Sequence, residues 1–176
     1  QLSENAIKYH GGHIAPIGKA MIALAEQASV PVAVHLDHAE DVDLCKAAVD
    51  IGFNSVMYDG SKLPDKENRE TTAAVVEFCH ANNVAVDLLA VAVGSSHAMT
   101  TRGAVLDTDL ISRIRDAVPV PLVLHGSSGV PDDGMVAAIE AGMTKINVST
   151  HLNVGFTGVV REILDGDEKL VDPRKY

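Results

Sequence analysis

The stretch "VPVAVHLDHAED", residues 30–41, is an apolar run that ends in ionisable side chains. His35 closes the run, and Asp37 and His38 follow it closely. A short, continuously apolar run is typical of a strand buried on both faces of a parallel sheet. Ionisable groups at the end of such a strand indicate a site, because buried cores rarely hold them. We therefore predict a buried strand over 30–35 with chemistry at its carboxyl end.

The same pattern recurs along the chain. Short β-branched runs predict further strands over 54–59, 84–94, 120–126 and 144–150, of which the run over 84–94 is long enough for two. Amphipathic segments predict helices between them, over 41–52, 64–83, 107–118, 131–142 and 152–164. Strands and helices that alternate in this way form parallel sheets joined by right-handed crossovers.

Polar or small residues gather at the ends of these predicted strands, in the strings "VMYDGS" (56–61), "VGSSH" (93–97), "VLHGSSG" (123–129) and "INVST" (146–150). A closed (β/α)8 barrel places its chemistry on the loops of one face in this manner. An open doubly wound sheet concentrates function at one switch point instead. The sequence therefore predicts an α/β fold of the TIM-barrel type.

The predicted barrel is incomplete. The chain has 176 residues, whereas a complete barrel takes about 250. Residues 1–3 read as a strand stub, and the two strands within 84–94 have no room for a crossover, which needs about a dozen residues. We expect one TIM-barrel domain over 1–176 that lacks its first strand–helix unit, a loop near 86/87 and its C-terminal helix. We also expect a backbone break between Val86 and Asp87.

Composition narrows the classes of partner. The formal net charge is −10 and aromatic residues make up 3% of the chain, which argues against nucleic-acid and anionic-membrane binding. A phosphorylated substrate stays open, because backbone N–H groups bind phosphate without net positive charge. With no long apolar run and no visible signal peptide, we expect a cytoplasmic protein. Cys45 and Cys79 form no ligand spacing and read as small core residues.

Three histidines, His38, His97 and His125, stand at the ends of different predicted strands. Imidazoles that converge at one barrel mouth can build a zinc site with an open position. The alternative for each histidine is a hydrogen-bonded residue of the core or rim. Asp37, beside His38, either moves a substrate proton or orients a ligand imidazole. For His35 we expect a supporting or packing role.

Two loops rich in glycine and hydroxyl groups, "HGSSG" (125–129) and "NVST" (147–150), follow late strands. Late-strand loops and helix N-termini form the usual phosphate site of a barrel. Each string alone is also compatible with an ordinary turn. Their positions after a candidate metal ligand and a late strand favour phosphate binding.

The chain resembles the class II, zinc-dependent ketose-bisphosphate aldolases. The strings that carry the resemblance are "VAVHLDHAED", "FNSVMYDGSKLP", "LAVAVGSSHAM", "VPLVLHGSSGVPDD", "AGMTKINVST" and "DPRKY". The resemblance implies a (β/α)8 barrel, assembled as a dimer or tetramer. It also implies cleavage of fructose 1,6-bisphosphate or tagatose 1,6-bisphosphate into dihydroxyacetone phosphate and glyceraldehyde 3-phosphate.

Site residues carry over from the resemblance. It implies Zn2+ on His38, His97 and His125, and makes Asp37 the acid/base for the hydroxyl at the cleaved bond. A monovalent cation is expected near the phosphate. The residues implied to bind the dihydroxyacetone phosphate end lie in loops: Gly126, Ser127, Ser128, Asn147, Ser149 and Thr150.

The sequence departs from the family pattern in several places. A glutamate in an "EAELG"-like block, an asparagine on the first strand and a helix beyond Tyr176 are missing, and Ala98 replaces a common glycine. A non-catalytic aldolase-like subunit is a second hypothesis, but the ligands and Asp37 are intact. A metal-dependent barrel hydrolase needs a bridging carboxylate or fourth ligand, which we do not find. Fructose and tagatose substrates remain open.

Overall fold

The computed structural model describes residues 1–86 and 89–176, and for Leu89 only the backbone. The chain divides into two compact units, Gln1–Asp87 and Leu88–Tyr176. Each unit has its own parallel sheet and its own apolar core. The predicted break at Val86–Asp87 lies outside the described residues.

The first unit contains a four-stranded sheet whose neighbouring strands are all parallel. Its strands are β1 (Leu2–Ser3), β2 (His35–Ala39), β3 (Ser55–Tyr58) and β4 (Ala85–Val86). Its helices are α1 (Glu4–Tyr9), α2 (Ile14–Gln27), α3 (Val42–Ile51) and α4 (Asp65–Ala81).

Local signals explain where α3 begins and ends. The Asp41 side chain accepts a hydrogen bond from the Asp43 N–H and caps the helix, as a short acidic residue does at an N-terminus. Gly52 ends the helix at φ 109°, in the left-handed region that glycine enters without strain. The helix buries Cys45 and Ala48 in the core of the first unit.

Both cysteines lie in this core, as predicted from their helical surroundings. Burial, with Cys79 as the next contribution, raises the pKa of the Cys45 thiol to about 12. Burial also raises the pKa of Cys79. A thiol that stays protonated in an apolar core behaves as a small hydrophobic side chain.

The second unit contains a three-stranded parallel sheet. Its strands are β5 (Leu89–Ala90), β6 (Leu122–Leu124) and β7 (Met143–Ile146). Its helices are α5 (Thr108–Ala117), α6 (Asp132–Ala141) and α7 (Thr150–Gly166), with short 3-10 turns at Ser127–Gly129 and Pro173–Lys175. Ile111, Leu122, Leu124 and Ala138 are the most buried members of its core.

The structure differs from the sequence-based expectation at the start of the first unit. The strand predicted over 30–35 begins only at His35, because the Val34 N–H donates to the Asn54 side chain (2.8 Å) and not to a neighbouring strand. Val30 and Val32 are exposed. The helices α1 and α2 were not predicted. Within residues 1–86 and 89–176, no helix is both long and apolar enough to cross a membrane.

Candidate active site

A bulge at the end of β2 presents Asp37 and His38. Leu36 pairs with Val56 and Ala39 with Tyr58, so these two residues face Met57 alone on β3. His38 has φ 49°, which a non-glycine residue adopts only at some cost in energy. A bulge bends its strand and turns side chains away from the regular alternation, and such bulges are common beside active sites. The local backbone therefore makes this position a candidate for a functional site.

Asp59 fixes the orientation of the His38 ring. Its Oδ2 atom lies 2.7 Å from Nδ1 of His38, and its Oδ1 atom accepts the Ser61 N–H at 3.1 Å. Burial acts to raise the pKa of Asp59, but hydrogen bonds from Ser61 and His38 outweigh it and lower the pKa to about 2. An ionised carboxylate on Nδ1 is the usual partner of a metal-binding histidine, which then coordinates through Nε2. Asp59 was not among the predicted site residues, although it directly follows β3 in the string "VMYDGS".

His35 supports Asp37, as expected from their spacing. The His35 ring is buried, and its Nδ1 atom forms a 2.8 Å hydrogen bond with the Ser55 hydroxyl. Its Nε2 atom lies 3.6 Å from Oδ1 of Asp37. The imidazole therefore lies close to the Asp37 carboxylate, at a fixed position on the same strand.

His97 and His125 lie together in the second unit. Their ring centroids are 5.8 Å apart, and a ring nitrogen of each lies within 4.8 Å of the other. His125 directly follows β6 and is buried, whereas His97 is exposed on the loop after β5. This pair is near the spacing that two imidazoles need to bind one ion.

The backbone beneath this pair is closely packed. The Ser95 hydroxyl donates to the carbonyl oxygen of His125 at 2.6 Å. Gly126 has φ 67°, and a Cβ atom there would lie 2.6 Å from the carbonyl carbon of Ser96. Only glycine fits this conformation and this approach. The loop that carries His97 is therefore held against the residues that carry His125.

The same loop is fastened further along. The Arg102 guanidinium donates two hydrogen bonds to the carbonyl oxygen of Val130, at 3.0 and 2.8 Å, and pairs with Asp132. The Arg102 guanidinium lowers the pKa of the Asp132 carboxyl. Ala98, next to His97, has φ 60°. This left-handed backbone conformation explains why glycine is common at this position in the family pattern.

The predicted phosphate residues cluster around His125 and the start of α7. The Asn147 amide nitrogen lies 3.4 Å from both ring nitrogens of His125. The Ser127 hydroxyl is buried and donates to the Leu124 carbonyl at 3.0 Å. This hydrogen bond stabilises the loop after β6.

Ser128 lies at the N-terminus of α7. Its hydroxyl oxygen accepts the N–H groups of Ser149 at 3.4 Å and His151 at 3.1 Å, while Thr150 is the first residue of the helix. Helix N-terminal N–H groups favour an anion. Each unit thus gathers its own share of the predicted residues: Asp37 and His38 in the first, and His97, His125, Gly126, Ser127, Ser128, Asn147, Ser149 and Thr150 in the second.

The family model described as "Fructose-bisphosphate aldolase class-II" matches residues 1–87 and 82–176. The chain belongs to the class II fructose-bisphosphate aldolase family. The two matched stretches of this aldolase overlap at residues 82–87.

Known aldolases resemble the chain over nearly its whole length. A fructose-bisphosphate aldolase of Geobacillus stearothermophilus is 36% identical over 211 residues, which cover 99% of this chain and 74% of the relative. The alignment is longer than the chain because the relative carries residues that this aldolase lacks.

Two crystal structures extend the comparison. The YdjI aldolase of Escherichia coli K12 is 31% identical with a TM-score of 0.80, over 91% of this chain and 68% of that one. The fructose-bisphosphate aldolase of Campylobacter jejuni has a TM-score of 0.73 at 19% identity, over 94% and 67% of the two chains, and supports the fold alone.

These comparisons confirm two predictions from the sequence. The family resemblance is confirmed, and so is the fold class, an α/β TIM barrel that is incomplete in this chain. The chain is therefore an aldolase-type lyase of a family that is generally metal-dependent. The roles of individual site residues and the single-domain organisation stay predictions.

Proposed function

We propose that this aldolase cleaves and forms a ketose 1,6-bisphosphate, with fructose 1,6-bisphosphate as substrate and dihydroxyacetone phosphate and glyceraldehyde 3-phosphate as products. The observation that carries the proposal is the bulge in β2, which presents Asp37 and His38 side by side in a chain of this family. A carboxylate beside an imidazole that can bind a metal ion through Nε2 suits proton transfer next to that ion.

We assign a zinc ion to His38, His97 and His125. The donor chemistry supports this, because imidazole nitrogens suit Zn2+ and three protein ligands leave a position open for substrate. The Asp59 contact on Nδ1 of His38 and the spacing of His97 from His125 fit ligand roles. When bound, the ion supplies Lewis-acid polarisation of the ketose carbonyl.

Asp37 is the proposed acid/base. In the cleavage direction its carboxylate takes the proton of the C4 hydroxyl while the C3–C4 bond breaks. The electron pair of that bond passes to C3 of the dihydroxyacetone phosphate half, which then takes a proton from water, and C4 becomes the aldehyde carbon. Condensation returns the proton from Asp37 to the same oxygen. His35 holds the carboxylate in place for both directions.

The phosphate of the dihydroxyacetone half is proposed to bind at the loops after β6 and β7. Gly126 allows close backbone approach, and Ser128, Ser149 and Thr150 offer hydroxyl and N–H groups at the start of α7. Ser127 and Asn147 complete the set, with a monovalent cation nearby. Replacement of KCl by choline chloride tests that cation, through the KM for the bisphosphate.

A coupled assay of triose phosphate release tests the proposal. Purified protein is supplied in parallel with fructose 1,6-bisphosphate and tagatose 1,6-bisphosphate, which differ only at C4. We expect cleavage of the fructose isomer, loss of activity with a chelator, return with Zn2+, and no lysine adduct after borohydride treatment. Preference for the tagatose isomer would move the assignment to that substrate. A protein that binds zinc but cleaves neither sugar would fit a non-catalytic subunit.

The family resemblance also supports a homodimer or homotetramer in the cytoplasm. Sedimentation of the purified protein tests the assembly, and fractionation of the source cells tests the location.

A further inference from the structure

Glu4, the first residue of α1, connects that helix to the turn after β2. Only 9% of the residue is exposed. One carboxylate oxygen accepts the N–H of Glu40 at 2.7 Å and lies 3.4 Å from the N–H of Asp41. The other oxygen pairs with Lys8 at 2.6 Å.

The sheet register explains how Glu4 reaches this turn. Ser3 of β1 stands beside Asp37 of β2 in a parallel pair. The Ser3 hydroxyl accepts the Ala6 N–H and caps α1, so the helix starts at once after the strand. Glu4 therefore begins its helix next to the point where β2 carries its bulge.

The bulge needs support from its surroundings. A non-glycine residue with positive φ, such as His38, keeps that conformation only when neighbouring contacts hold it. On the β3 side, the Asp59 N–H donates to the Ala39 carbonyl at 2.8 Å. The Lys62–Glu40 ion pair on that side is solvent-exposed, and exposed pairs contribute little. On the β1 side, Glu4 supplies a buried carboxylate to the two residues that follow Ala39.

We propose that Glu4 is a positioning residue, which fixes the turn at Glu40–Asp41 and thereby holds Asp37 and His38 in the directions that proton transfer and metal binding require. This inference rests on the proposed function and extends it to a residue outside the metal and substrate groups.

The charge state of Glu4 agrees with this role. Burial acts to raise the pKa of Glu4, but the contacts with Lys8 and with the N–H groups of Glu40 and Asp41 outweigh it and lower the pKa. Glu4 is therefore ionised at neutral pH, and charged acceptors form stronger hydrogen bonds than neutral ones.

Three variants test the proposal: Glu4→Ala, Glu4→Gln and Lys8→Met. Glu4→Ala removes the acceptor, Glu4→Gln keeps an acceptor oxygen of the same shape, and Lys8→Met leaves the contacts with Glu40 and Asp41 intact. Each is measured by zinc competition titration of the metal-free protein, by kcat and KM for the bisphosphate, and by amide hydrogen exchange of Glu40 and Asp41.

For Glu4→Ala we expect about 10-fold weaker zinc binding, within the range seen when partners of metal ligands are removed. We also expect kcat to fall about 10-fold or more while KM changes less than about threefold, and faster exchange at Glu40 and Asp41. Glu4→Gln should recover most of each value, and Lys8→Met should match the wild type.

Three results would overturn the inference by different routes. If the wild type binds zinc and cleaves substrate, and Glu4→Ala does both equally well, Glu4 has no positioning role and the proposed function stands. If the wild type neither binds zinc nor cleaves substrate, the proposed function fails and the inference fails with it. A fall in melting temperature alone, with unchanged zinc affinity and kcat, would reduce Glu4 to a structural residue and contradict the proposal.

Discussion

Nδ1 of His38 lies 2.7 Å from Oδ2 of Asp59, across the ends of two neighbouring strands. This contact links the bulge of β2 to the loop after β3. A metal ion at His38 would therefore be bound through Nε2, because a ring nitrogen that is hydrogen-bonded to a carboxylate cannot also bind a metal.

Replacement of Asp59 by asparagine should weaken zinc binding about 10- to 100-fold, because the imidazole loses the charge of its carboxylate partner and retains only a neutral acceptor. Competition titration with a chromogenic chelator measures the change. Asp43→Asn is the matched control, since its side chain is 89% exposed and should leave zinc affinity unaltered. Equal affinity in Asp59→Asn and the wild type would remove Asp59 from the site.

The stability of the metal-free protein should depend on Asp59 at acid pH. Its pKa is lowered from 3.8 to about 2 in the folded chain, so its contribution is present above pH 3.8 and is lost as pH falls toward 2. The difference in unfolding free energy between wild type and Asp59→Asn should therefore shrink over this interval. Urea unfolding at pH 6 and pH 3 measures it, and a difference that grows on acidification would contradict the sign.

Asp37→Ala should keep zinc and fold but lose about 10²- to 10⁴-fold in turnover, the range for a general acid/base. His38→Ala should instead lose the ion. Bound zinc and cleavage rate, determined for both variants, separate the two roles. If Asp37→Ala emptied the site of zinc yet regained normal turnover after metal was added back, Asp37 would be an orienting residue only.

Gly126→Ala should destabilise the second unit by about 1–3 kcal/mol, because its left-handed φ and the 2.6 Å approach to Ser96 leave no room for a methyl group. Gly103→Ala is the control, as a Cβ atom there meets nothing within 4 Å. Thermal unfolding of both variants gives the comparison. A Gly126→Ala protein as stable as Gly103→Ala would show that the loop with His97 is free to move away.

Local signals in the sequence were sufficient for much of the fold. The boundaries of α3 follow from Asp41 and Gly52, because caps act within a few residues of the helix end. The predicted strand at 30–35 begins before the observed one. The reason is that the Val34 N–H donates to the side chain of Asn54, which is 20 residues away in the sequence. Such a contact depends on the tertiary arrangement and leaves no mark in the local pattern.

The candidate site was predicted in part for the same reason. His38, His97 and His125 stand out because each ends a predicted strand. Asp59 and Glu4 reach β2 only through strand pairing and the bulge, which no periodicity of the sequence reveals. Their contacts with β2 follow from the register of three neighbouring strands.

The buried thiol of Cys45 has a chemical consequence for a zinc protein. With a pKa of about 12, on the order of one molecule in 10⁵ carries a thiolate at neutral pH. Thiolates are the soft donors that compete with imidazole for zinc, and they are also the first groups that alkylating agents and peroxides attack. Burial of this sulfur in the core of the first unit therefore slows its reaction with electrophiles, and an ion delivered to the histidines meets no competing thiolate at this position.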